Sequence, residues 1–118
     1  MMINIAVVGG RNFKDYALMK KVLTDFIGDD KMVGNIVSGG ATGADTLAEK
    51  FAAEMNYEML VFRPDRAKYG RAAPLMRNTQ IIENADVVFA FWDGISRGTM
   101  DSINKAKKLQ RELHVVSY

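Results

Sequence analysis

Five short runs of β-type apolar residues alternate with four helix-type runs along this chain, and that alternation restricts its fold more than any other feature. The β-type runs are 3–8, 35–38, 59–62, 87–91 and 113–116. Helical spacing of apolar residues, such as Leu47, Phe51 and Met55, covers 15–27, 43–56, 74–84 and 99–111. Strands separated by helices pair in parallel, because each helix carries the chain back to the starting edge of the sheet. Near-continuous apolar strands imply burial on both faces. Right-handed crossovers with one reversal of winding give the strand order 3-2-1-4-5, with the switch point between the first and fourth strands. The expectation is an α/β three-layer sandwich, a five-stranded parallel sheet with helices on both faces, in a single domain over 1–118.

At 118 residues the chain is long enough to bury a substantial core, and its apolar and charged fractions are ordinary for a globular protein. No apolar run approaches about 18 residues and no leader or lipidation signal is visible, so a cytoplasmic location and no membrane partner are expected. The absence of cysteine removes disulfides, thiol nucleophiles and thiolate metal sites. A net charge of +2 does not require a nucleic-acid partner. It leaves the oligomeric state open, a homo-oligomer included.

The connections divide into two kinds. Those leaving helices are bland. Those leaving strands concentrate glycine, arginine and hydroxyl groups: Gly9-Gly10-Arg11-Asn12-Phe13, Ser38-Gly39-Gly40-Ala41-Thr42-Gly43-Ala44-Asp45, 63–71, and 92–99. In a parallel sheet all four lie at the carboxyl edge, where open α/β folds bind ligands. The second of them joins a strand to a helix start. Glycines let backbone N–H groups approach a ligand, and the helix N-terminus favours an anion such as phosphate. The spacing Ser38-x-Gly40-x-x-Gly43 is one glycine short of the dinucleotide fingerprint, and no Lys-Ser or Lys-Thr pair follows to make a P-loop. A tight strand-to-helix turn that binds nothing is the alternative.

Gly9 and Gly10 end the first strand beside the switch point, where a ribose or adenosine group would pass close to the backbone. Arg11 is a phosphate partner or a solvated charge. Asp45 either caps the second helix or accepts hydrogen bonds from ribose hydroxyls. Pro74 suits the first turn of the third helix, so Arg77 and Asn78 overhang the crevice while Leu75 and Ile82 pack inward. Trp92 stacks on a base or packs at the strand end. Gly98-Thr99 opens the fourth helix and offers a second anion site. Asp93 and Asp101 are acid or base candidates, or else stabilise a turn and a helix start. His114, the only histidine, lies in the last strand and is poorly placed to act with Ser38. No His and carboxylate cluster has metal-ligand spacing, and no cofactor beyond the ligand itself is required. Arg63, Arg66, Lys68, Arg71 and Arg77, with Tyr69 interleaved and Asp65 among them, form a basic patch that suits a nucleic-acid backbone or a single dinucleotide.

Four motifs in order carry a resemblance. They are 8–13, 38–45, Tyr69-Gly70-Arg71-Ala72-Ala73-Pro74-Leu75-Met76-Arg77-Asn78, and Ala85-Asp86 through Phe91-Trp92-Asp93-Gly94 to Ser96-Arg97-Gly98-Thr99-Met100-Asp101. With them the chain resembles the YspA/YpsA-related branch of the SLOG superfamily, the Rossmann-like group that includes the LOG and DprA (Smf) proteins. The resemblance implies binding of a nucleotide or an NAD-derived molecule such as ADP-ribose, for sensing, sequestration or regulation. LOG proteins cleave cytokinin nucleotide monophosphates, and the spacing of their catalytic arginine to the Ala-Asp pair is similar to that of Arg77. Their Pro-Gly-Gly-x-Gly-Thr-x-x-Glu motif is not matched: aligning Gly98-Thr99 places Ser102 at the glutamate, and Asp101 lies one residue away, about 100° around the helix. A LOG-like phosphoribohydrolase, using Arg77 for the phosphate and Asp101 or Asp93 as acid or base, and a DprA-like single-strand nucleic-acid binder are the two alternatives to a nucleotide-binding module.

Overall fold

In the computed structural model, which describes residues 2–118, every β-type run forms a strand and all strand pairs are parallel. The strands are β1 (Met2–Gly9), β2 (Met32–Ser38), β3 (Glu58–Val61), β4 (Val87–Trp92) and β5 (Glu112–Ser117). They form one sheet in the order β3-β2-β1-β4-β5, the order expected from the sequence. The helices are α1 (Tyr16–Ile27), α2 (Ala44–Met55), the single-turn α3 (Arg66–Tyr69), α4 (Ala73–Glu83) and α5 (Arg97–Lys108), with a 3-10 turn at Gly70–Ala72. The fold is α/β and Rossmann-like.

Strand alternation divides the interior into two cores. Ile5, Val7, Val87, Phe89 and Phe91 face α1 and α2 and pack with Phe13, Leu23 and Phe51. Ala6, Val8, Val88 and Ala90 face α4 and α5, packing with Ile81, Ile82, Ile103 and Ala106. Both faces of the two central strands are therefore apolar and buried, which removes the alternation of polar residues a half-exposed strand would show. Phe13 lies 4.9 Å from the Phe91 ring, and Tyr118 closes over its other side at 4.8 Å. His114 stacks on Phe89 with centroids 4.6 Å apart and its Nε2 lies 2.7 Å from Glu112, far from any rim loop in the strand register.

Three local readings of the sequence are corrected. The segment 32–34, read as a connection, extends β2. Gly34 is a strand residue there because the side chain of Asn4 crosses it, and a Cβ would come within 2.8 Å of the Asn4 Oδ1. That oxygen accepts the Asn35 N–H at 3.0 Å, while Asn4 Nδ2 donates to the Asn84 carbonyl at 3.0 Å, where β1 has an irregular register. Within 63–71, read as loop, residues 66–69 coil because Asp65 Oδ1 accepts the Lys68 N–H at 3.1 Å. Leu75, expected inward, is 50% exposed. The helical phase of α4 buries Ala73, Asn78, Ile81 and Ile82 and leaves Leu75 at the rim.

Candidate functional site

The four connections that leave strands converge at the carboxyl edge, and a cleft of about 430 Å³ opens there between the ends of β1 and β4. Gly9, Gly10 and Arg11 form one wall, Asp45 part of the base, Arg77 and Asn78 the α4 side, and Asp93, Ser96, Gly98 and Thr99 the opposite end. A second concavity of about 470 Å³ is lined by Gly39, Gly40, Thr42, Arg63 and Arg66 and shares Arg11, Ala41 and Arg77 with the first. Ser38, Gly43 and Trp92 line neither.

The glycine-rich loop before α2 is organised differently from a phosphate cradle. Gly43 has φ +76° and lies against the carbonyls of Gly10 and Arg11, which a Cβ would strike. This close approach lets the Ala44 N–H donate to the Gly10 carbonyl at 3.1 Å. The Gly40 N–H faces the Ser38 Oγ at 3.4 Å, and the Ala41 N–H donates to Asp45 Oδ2 at 3.0 Å. The protein's own carboxylate thus takes the Ala41 N–H. Asp45 is 8% exposed, and burial raises its pKa against the opposing influence of the Ala41 N–H and the Arg77 charge. Its fixed part is loop closure: it lies in the first turn of α2 and binds the loop N–H of Ala41, while the N-cap position, Gly43, has no side-chain cap.

With these N–H groups turned inward, carbonyls point outward and arginines cover them. Arg77 Nη1 donates to the Gly39 carbonyl at 2.8 Å and Arg63 Nη1 to the Gly40 carbonyl at 3.0 Å. Arg77 Nε also donates to Asn78 Oδ1 at 3.1 Å, which fixes the plane of the guanidinium. Burial lowers the Arg77 pKa, the Asp45 charge acts against that, and the neighbouring Arg11 charge adds to it. Among the described residues, Arg11, Arg63, Arg66 and Arg77 form no ion pair with a carboxylate. The positive groups facing the cavities are side chains.

The far end of the cleft is polar and neutral to acidic. Asp93 Oδ1 accepts the Ile95 and Ser96 N–H groups at 2.9 and 2.8 Å, and those two bonds hold its carboxyl below the ordinary range. Trp92 Nε1 donates to the Ser96 carbonyl at 3.1 Å, so the indole braces this loop and does not face the cleft. Thr99 Oγ1 lies 3.3 Å from Ser96 Oγ. Asp101 stands outside the cleft lining: its Oδ2 accepts from Lys105 Nζ at 2.7 Å and from Asn78 Nδ2 at 3.0 Å. Lys105 also donates to the Leu75 carbonyl at 2.7 Å, which makes this group a clamp between α4 and α5. Among the described residues no group of acidic, histidine or cysteine side chains could hold a metal ion. No helix among them is long and apolar enough to cross a membrane.

Sequence reasoning left Ser96 and Ala41 out of the site, and it set Arg63 and Arg66 apart as a patch. The signals were present: Asp93 and Ser96 have turn spacing, and both arginines lie in a connection that leaves a strand.

The family model of YspA, cpYpsA-related SLOG proteins matches residues 3–69, more than half of the chain. The chain belongs to that family. The matched part of this SLOG chain includes the glycine-rich loop, Arg11, Arg63 and Arg66, while Arg77 and the Asp93 loop lie beyond it. Gene 61 protein of Mycobacterium phage D29 is 31% identical over 113 residues, covering 91% of this chain and 90% of its own length. Two solved structures share the fold. DNA processing protein A (DprA) of Helicobacter pylori, studied for its single-stranded DNA binding mode, has TM-score 0.72 and 24% identity over 96% of this chain. DprA of Streptococcus pneumoniae has TM-score 0.76 and 19% identity over 97% of it. This chain spans 64% and 50% of those two proteins.

Proposed function

We propose that this SLOG protein binds a nucleotide or an NAD- or ADP-ribose-derived molecule across the β1–β4 crevice, and that it serves in sensing, sequestration or regulation. The observation that carries this reading is the pair Arg11 and Arg77, two guanidinium groups in no direct ion pair among the described residues, at a cleft of nucleotide size. A guanidinium fork matches phosphate oxygens bidentately. Phosphate belongs at the arginine end, and sugar or base donors belong at Asp93, whose Oδ1 is engaged by the loop while the carboxylate retains capacity to accept. The Gly40, Ala41 and Ala44 N–H groups, engaged within the protein, and Trp92 take no part in this arrangement.

The test is calorimetric titration with adenosine monophosphate, NAD and ADP-ribose, using the parent protein and Arg77→Ala. At least one of the three is expected to bind. Loss of a charged hydrogen bond in a partly dry cleft costs about 1.5–3 kcal/mol, so the variant should bind about tenfold to a hundredfold more weakly. Absence of heat with all three ligands, or unchanged affinity in a folded Arg77→Ala protein, would overturn the reading.

A single-strand nucleic-acid binder is the second reading, favoured by the exposed Arg63 and Arg66 beside the cleft and by the fold shared with DprA. The LOG-like hydrolase has less support: Asp101 is engaged by Lys105 and Asn78 away from the cleft lining, which leaves Asp93, held by its own loop, as its acid or base.

A further inference from the structure

The geometry points to a second phosphate subsite, in the concavity beside the cleft, that makes the ligand a nucleotide with at least two phosphate groups lying on either side of Arg77. This inference rests on the nucleotide reading of the cleft and adds the ligand class. The second concavity is a separate space with its own arginines, Arg63 and Arg66, joined to the cleft through Arg11, Ala41 and Arg77.

Charge supports the assignment. Four guanidinium groups surround one concavity in a protein whose net charge is only +2, and no carboxylate among the described residues pairs with any of them. Arg11 is near enough to Arg77 for its charge to oppose the Arg77 charge, alongside burial and against the attraction of Asp45. Such a grouping is favourable around a polyanion.

Geometry supports it as well. Arg63 and Arg77 are each anchored to a loop carbonyl through Nη1, at 3.0 and 2.8 Å. Each guanidinium has further N–H groups beyond that anchor, so the forks are positioned in advance and retain donors for a ligand. Arg77 lines both spaces and can donate to oxygens on both sides. A terminal monophosphate fills one subsite. A diphosphate, or a diphosphate-linked nucleotide, fills both.

The basic region is bounded. Lys68 lies over its neighbour's ring, 5.1 Å from the Tyr69 centroid, and neither Lys68 nor Arg71 lines the two cavities. A strand-binding groove instead tracks a backbone over about 4–16 nucleotides. The cluster therefore fits a small molecule with adjacent phosphates.

The experiment compares the parent protein, Arg66→Ala and Arg63→Ala/Arg66→Ala in calorimetric titrations. The probes are adenosine monophosphate, adenosine diphosphate, ADP-ribose, inorganic pyrophosphate and a short oligothymidylate. Melting temperatures without ligand are matched first. Arg66→Ala is the safer variant, because Arg66 makes no side-chain hydrogen bond to the glycine loop, whereas Arg63 does. The parent is expected to bind the diphosphate about tenfold or more tightly than the monophosphate. Both variants should lose that advantage while retaining monophosphate affinity within about twofold.

Equal affinity of the parent for mono- and diphosphate, or equal loss of both in the variants, would overturn the second subsite and leave the cleft reading standing. Pyrophosphate binding that depends on Arg66, with no nucleotide bound, would remove the nucleotide reading and keep the anion subsite. Oligothymidylate bound more tightly than every diphosphate would replace the small-molecule class with nucleic acid, and silence from every probe would remove both readings.

Discussion

Asp45 decides how the glycine-rich loop works, and it also marks the limit of what residue spacing reveals. An acidic residue in the first turn of a helix satisfies the helix dipole and equally suits a sugar hydroxyl. Only burial separates the two, and burial depends on Gly43 allowing the β1 loop to lie against α2. Arg11, Arg63 and Arg66 were legible because their connections leave strands, and Arg77 because Pro74 opens its helix. The inward direction of the loop N–H groups was not, since it follows from hydrogen bonds within the loop that no spacing encodes. The energetic consequence has a definite sign. The native pKa of Asp45 is raised above its ordinary value of 3.8, so between those two values the folded protein binds more protons than the unfolded chain. The contribution of Asp45 to stability therefore falls as pH rises through that window and stays at its lower value above it. Asp45→Asn preserves an acceptor for the Ala41 N–H and removes the buried charge. Urea unfolding at a series of pH values should show the variant gaining on the parent from the ordinary carboxyl range upward, with the difference constant near neutrality. A parent that gains on the variant over the same range would mean that the Arg77 attraction outweighs burial.

At the scale of elements, the strands and the long helices were legible because both faces of a parallel sheet demand continuous apolar runs and the helices carry an apolar stripe. What escaped were features set by contacts between elements. Gly34 looks like punctuation in the sequence and is a strand residue because Asn4 crosses it. Leu75 fits an apolar stripe, yet it lies at the rim because Asn78 takes an inward position to bond with α5. That exchange makes the α4–α5 interface depend on a polar clamp. Asp101 and Lys105 are about one quarter exposed, at 26% and 24%, so their interaction is less screened than a surface pair. Asp101→Ala removes the carboxylate that Asn78 and Lys105 share and leaves them only the Gly98 and Leu75 carbonyls. The expected loss is about 1–3 kcal/mol in urea unfolding, and Asp101→Asn, which retains an acceptor, should lose less. Nucleotide affinity in Asp101→Asn should remain within about twofold, measured by the same titrations. A stable Asp101→Ala protein would show the clamp to be dispensable, whereas an Asp101→Asn protein with normal stability and tenfold weaker binding would return this carboxylate to the site.

The whole molecule places its cleft across the join between its two halves. One wall comes from the ends of β1 and the start of α2, and the other from α4 and the loop before α5. A bound nucleotide would touch segments far apart in the chain, so its binding free energy is lost when the sheet opens and adds to global stability. At a hundredfold excess over the dissociation constant that addition is about 2.7 kcal/mol. A chain of 118 residues, with an unfolding entropy of about 2.1 cal/mol/K per residue, should then melt roughly 10 °C higher. The salt dependence of that shift distinguishes what holds the ligand. Arg11, Arg63 and Arg66 are exposed, and screening at about 1 M salt acts beyond roughly 3 Å. If arginine–phosphate attraction dominates, the shift produced by a fixed concentration of adenosine diphosphate should shrink markedly when ionic strength rises from about 0.1 to 1 M. The shift produced by adenosine monophosphate should shrink less, because fewer guanidinium groups reach it. Scanning calorimetry of the same sample series reads both shifts. Equal and salt-independent shifts would assign the binding energy to the base and sugar, and would leave the four arginines without a part in it.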